Sequence, residues 1–171
     1  MKLKIYDVVY IGIFSTLFFI LGTMAISAYN IKLTFQNLPL YVGAIVLGPI
    51  NGVLIGGIGS FLVQLMFYSI MPTTIIWILP HMIIGFITGF IFTKKIVDID
   101  EIPKSWIVII LLNILLTLFN TVALYLDSVI NGYFSPIVIS ELFFRLLLSI
   151  IVGVIYSLII PMIVKVIKKY K

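Results

Sequence analysis

Arg145 is the only arginine of the chain, and it stands deep inside a long apolar stretch near the C-terminus. A charged side chain at the centre of a membrane helix costs roughly 2.5–3.5 kcal/mol on insertion scales, so such a residue turns toward the bundle interior. Glu141 precedes it by one helical turn, the favoured order for an acid–base pair. Two roles fit Arg145: an ion pair with Glu141, or a planar fork gripping a ligand carboxylate. His81 follows Pro80 and suits either an interhelical hydrogen bond or a ligand contact. The amides of Gln64 and Asn120 carry the same two readings, because amides also hold membrane helices together. Trp77 is an interfacial anchor or a stacking partner, and Thr121 adds a hydroxyl beside Asn120. The spacing groups these residues. Trp77, His81, Gly85 and Gly89 stand four apart, as do Glu141, Arg145, Ser149 and Gly153, while Asn113, Thr117, Asn120 and Thr121 form one helical stripe.

No reaction chemistry is legible. The chain lacks any Gly-Lys pair, and so lacks the phosphate-binding loop that ATP hydrolysis requires. With no cysteine and one histidine, it has neither thiolate chemistry nor a set of metal ligands, and no cofactor is expected. A serine–histidine–acid constellation cannot be assembled either. Binding without catalysis is what remains.

The elements that must position these groups are membrane helices. Of the 171 residues 63% are hydrophobic and 10% charged, against about 45–50% apolar and about 25% charged in soluble domains. The net charge of +5 sits in the tails and one loop, which argues for membrane orientation and against nucleic acid. No small-residue cleavage site follows the first apolar run, so it reads as a span and not as a signal peptide. The pattern predicts one all-α membrane domain over residues 1–171, with helices at 7–26, 38–48, 51–69, 75–92, 106–126 and 136–164. Gly48-Pro49 separates the second helix from the third.

Orientation follows from the lysines. Six crossings with both termini inside place Lys2, Lys4, Lys94, Lys95, Lys104, Lys165, Lys168, Lys169 and Lys171 in the cytoplasm and leave Lys32 outside. Gln64, His81, Asn120 and Arg145 then share one level between the midplane and the outer surface. The segment Asn30–Gln36 alternates polar and apolar residues, as an extended strand does. It fits a lid whose Ile31, Leu33 and Phe35 cover a ligand with Lys32 nearby, and equally a plain connector. Gly48, Gly52, Gly56 and Ser60 form a row of small residues, repeated by Gly85 and Gly89, that lets helices approach closely. Gly12 and Thr16 make a notch on the first helix that suits a partner protein.

The run Leu38-Pro39-Leu40-Tyr41-Val42-Gly43-Ala44-Ile45-Val46-Leu47-Gly48-Pro49-Ile50-Asn51-Gly52-Val53-Leu54-Ile55-Gly56 resembles the signature of S components of energy-coupling factor (ECF) vitamin transporters. Length, helix count and basic ends agree over nearly the whole chain. The resemblance implies a six-helix, N-in/C-in bundle in the cell membrane of a bacterium that captures a vitamin from outside. It would then dock on a membrane T component driven by two ATPase subunits and topple to release its cargo. Gly12 and Thr16 stand where the family carries an alanine notch. Asn120-Thr121 and Arg145 resemble the folate group, which implies contacts to the pterin and glutamate ends of folate. Pantothenate, thiamine or a queuosine precursor are the other cargoes the class allows. A scaffold of the cell-wall elongation machinery is the rival reading; it expects no ligand and no ATPase-driven partner.

Overall fold

Backbone groups in lipid must be satisfied within the chain, and here helices do this almost throughout. The computed structural model describes residues 5–28, 31–132 and 137–170; the side chains of 26–28, 31–33, 137–141 and 170 lie outside that description. Along the chain run α1 (Ile5–Thr23), the hairpin β1 (Ile26–Ala28) and β2 (Ile31–Leu33), then α2 (Asn37–Leu47), α3 (Pro49–Tyr68), α4 (Thr74–Thr93), α5 (Ile102–Asn131) and α6 (Ile137–Tyr170). Five of the six helices are long and apolar enough to cross a membrane, and the 11-residue α2 is the exception.

The helix ends depart from the expected ones for local reasons. The first helix stops at Thr23, short of residue 26, because Ile26 to Ala28 pair antiparallel with Ile31 to Leu33. The extended conformation expected for this segment is therefore present over Ile31–Leu33, as part of a hairpin. Asp127 looked like a break in the fifth helix. Instead Asn131 donates its amide to the Asp127 carboxylate at 2.9 Å and to its carbonyl at 3.1 Å, and the helix runs on until Gly132 turns left-handed at φ 72°. Between α2 and α3, Gly48 takes φ 93°, and Pro49 opens the next helix with its fixed φ.

Helix pairing fixes the orientation. A Cβ added at Gly52 would strike the Gly85 carbonyl, one at Gly56 the His81 carbonyl, and one at Gly89 the Pro49 backbone. These contacts set α3 and α4 antiparallel along the small-residue rows. Gly22 meets Val63 and Gly59 meets Phe18, so α1 runs parallel to α3. Asn113 donates to the Ser149 carbonyl and Lys165 pairs with Asp100 at 2.9 Å, so α5 and α6 are antiparallel. The start of α1, the α2–α3 turn, the α4–α5 loop and the end of α6 thus share one end of the bundle. That end carries the lysines and is cytoplasmic by the positive-inside rule. The bundle is N-in and C-in.

At the centre stands α2, buried from Pro39 to Ile45. Leu40, Tyr41, Ile55 and Ile84 have no exposed surface. Apolar side chains such as Leu111, Leu118, Phe143 and Leu147 are exposed on the outer faces of α5 and α6, where lipid covers them.

Candidate functional site

An 11-residue helix rises only about 16 Å, roughly half of a 30 Å hydrocarbon core. The inner half of the central column is therefore filled by α2 alone. In the outer half the surrounding helices enclose a chamber of about 560 Å³.

The chamber floor is organised by buried hydrogen bonds. Asn113 on α5 donates its amide to the Ser149 carbonyl of α6 at 2.7 Å and accepts from the Tyr41 hydroxyl of α2 at 3.5 Å. Both ends of this amide are engaged between helices, so Asn113 stitches the floor together. The Tyr156 hydroxyl donates to the Thr34 carbonyl at 3.4 Å, while the Leu38 N–H bonds the Phe35 carbonyl at 3.1 Å. The Tyr156 bond thereby ties α6 to the segment that leads into α2. Tyr41 and Tyr156 pack edge to face at 5.8 Å beneath the chamber.

Five of the side chains singled out in the sequence share the chamber wall: Gln64 from α3, Trp77 and His81 from α4, Asn120 from α5 and Arg145 from α6. His81 is 6% exposed. Its Nδ1 lies 3.3 Å from the Trp77 carbonyl, and Phe18 meets its ring edge-on at 5.3 Å. Trp77 stands one turn further out on the same face, and Arg145 stands one turn outward of Ser149. The small-residue rows set the close approach of α3 and α4 that brings Gln64 and His81 to one wall, because a side chain at Gly56 would push α4 and His81 away.

Other residues stand elsewhere. Thr121 is absent from the wall and turns its hydroxyl back to the Thr117 carbonyl at 2.8 Å. Phe35 does not line the chamber either; it packs edge-on against Tyr156 at 6.3 Å, just ahead of α2. The side chains of Lys32 and Glu141 lie outside the described residues. Gly12 and Thr16 sit on the exposed face of α1, with nothing within 4 Å of a Cβ built at Gly12 and the Thr16 hydroxyl bonded to the Gly12 carbonyl at 2.9 Å.

Several wall residues escaped the sequence reading. Gln36 and Asn37 looked like connector, Phe18 was one apolar residue among many, and Asp127 passed for a helix end. For Asp127 a signal existed. Asn113, Asn120 and Asp127 are seven residues apart, which repeats one helical face.

Aromatic walls with amide and hydroxyl groups around them suit a flat, polar-edged heterocycle, and Arg145 offers a cation on one side. Met71, Thr73 and Thr74, from the end away from the lysines, also line the chamber.

A family model described as the S component of ECF-type riboflavin transporters matches residues 2–169. No curated protein matches the chain.

Proposed function

Because the chain belongs to the family of S components of ECF-type riboflavin transporters, we propose that its outer chamber captures riboflavin for delivery across the bacterial cell membrane. The family makes this protein a vitamin-binding transport subunit and not an enzyme. The finer reading rests on one observation above all: polar groups on α3, α4, α5 and α6, each costly to place in lipid, converge on a single chamber of about 560 Å³.

In this reading the isoalloxazine ring lies among Phe18, Trp77 and Val63, with Gln64 and Asn120 reading its polar edge. Arg145 stands where a hydroxylated or anionic tail would reach. A T component and two ATPase subunits supply the energy, and the T component meets α1 at Gly12 and Thr16. Folate is the second reading. Arg145 and Asn120 on the wall favour it, since folate carries carboxylates for the guanidinium to hold.

Protein purified without added vitamin and then denatured separates the two. A yellow, fluorescent flavin in the supernatant supports the first, a pterin the second. Titration adds a quantitative arm: ligand at a hundred times its Kd stabilises the fold by about 2.7 kcal/mol. A protein that releases no small molecule and is stabilised by no vitamin refutes both and returns the ligand-free scaffold.

A further inference from the structure

Three acceptor atoms on the chamber wall have no hydrogen-bond partner among the described residues: Asn37 Oδ1, His81 Nε2 and Asn120 Oδ1. They come from three different helices, α2, α4 and α5, and all three are covered from solvent. A covered polar atom left unsatisfied destabilises the fold, so native structures keep few. Ser15 Oγ, Asn51 Oδ1 and Thr88 Oγ1 are the others among the described residues, and none of these lines the chamber.

The polarity of each atom is set by its surroundings. The Trp77 carbonyl can only accept, so the His81 Nδ1 at 3.3 Å carries the ring hydrogen. In the uncharged ring Nε2 is then a lone-pair acceptor. The two amide oxygens are acceptors by nature. Three other polar side chains of the wall are engaged: Asn113 is bonded at both ends, and the Thr117 and Ser60 hydroxyls donate back into their own helices.

We propose that the chamber selects a cargo rich in hydrogen-bond donors, which supplies N–H or O–H groups to Asn37, His81 and Asn120. This deepens the vitamin reading and rests on it. The oxidised flavin ring offers one N–H flanked by carbonyls, so its remaining donors lie on the ribityl hydroxyls. A pterin edge offers a ring N–H and an amino group side by side. A cargo built only of acceptors would leave all three atoms unsatisfied and would be rejected, as sites built to hydrogen-bond a substrate reject analogues lacking the group.

Asn120→Leu is the cleanest probe, because no described hydrogen bond inside the protein is lost with the Asn120 amide. Measured without ligand, this variant should melt no lower than the wild type, since it removes an unsatisfied acceptor. The same variant should bind riboflavin about ten- to a hundredfold more weakly. On the wild type, 3-methylriboflavin (ring N–H blocked) or lumiflavin (ribityl hydroxyls removed) should lose a comparable factor, and that loss should shrink in Asn120→Leu for whichever donor meets this residue. The folate arm repeats the comparison with a pterin lacking its amino group. A lower melting point for ligand-free Asn120→Leu overturns the proposal by making the amide structural. Donor-blocked analogues binding as tightly as their parents overturn it too, with an ordered water meeting the acceptors. If neither vitamin binds, the vitamin reading fails, and the donor requirement is then decided by the ligand-free melting point alone.

Discussion

Replacing Gly56 by alanine tests how the packing of α3 on α4 builds the chamber. A Cβ at this position would lie 2.7 Å from the His81 carbonyl carbon and 3.1 Å from the Met82 nitrogen. Ordinary contact begins near 3.4 Å, so the two backbones must part by at least about 0.7 Å, and by more to clear the His81 carbonyl oxygen, which lies closer still. Neither neighbour is a flexible side-chain tip that could move aside. Overpacking of this kind costs about 1–3 kcal/mol, which exceeds the helix-propensity gain of about 0.5–1 kcal/mol that alanine brings over glycine. For a chain of this size the melting temperature in detergent should fall by on the order of 5 °C. Because the displaced backbone is that of His81 itself, vitamin affinity should fall several-fold as well. Gly57→Ala is the matched control. Its Cβ meets only the Met82 side chain, at 3.4 Å, and methionine can adjust, so this variant should melt at or above the wild-type temperature. Thermal unfolding and ligand titration of both variants read the difference. Equal melting of Gly56→Ala and Gly57→Ala would refute the close approach of α3 and α4 at this register.

Four further outcomes follow from other parts of the molecule. Arg145→Ala should weaken folate by about tenfold or more while changing riboflavin much less, read by calorimetric titration; equal losses would deny the guanidinium a preference for carboxylate. Tyr156→Phe removes the hydrogen bond to the Thr34 carbonyl and should destabilise the protein by about 0.5–1.5 kcal/mol, and an unchanged melting point would show that bond to be idle. Asp100→Asn breaks the exposed pair with Lys165 at the cytoplasmic end and should change stability by no more than about 0.5 kcal/mol. Gly12→Leu fills the open notch on α1; it should leave vitamin binding intact yet abolish co-purification of the T component and uptake in cells, and unimpaired uptake would move the docking face elsewhere.

Much of this architecture was legible because lipid leaves few choices. Long apolar runs must become helices, lysine placement fixes orientation, and costly residues such as Arg145 and His81 must face inward. The Gly52–Gly85 contact could be anticipated for the same reason, since only small residues permit it. Other features depend on contacts far apart in sequence, which no local pattern encodes. Tyr156 bonds a carbonyl that lies more than a hundred residues earlier. Asn37 reads as loop until one sees that α2 starts deep in the bundle and not at its surface. Phe18 resembles its neighbours on α1 and is set apart only by meeting His81. Thr121 erred the other way: its type suited a site, but a hydroxyl one residue along the helix points past the chamber and satisfies itself on its own backbone.

The brevity of α2 also has an electrical side. The space above it is open, while the layer of Leu40, Tyr41, Ile55 and Ile84 below is sealed without exposed surface. An ion drawn inward by the membrane potential would have to shed its hydration in that dry stratum, at a penalty far above the roughly 2.3 kcal/mol that 100 mV supplies to a unit charge. This buried layer therefore opposes the leak of hydrated ions along the axis of the bundle.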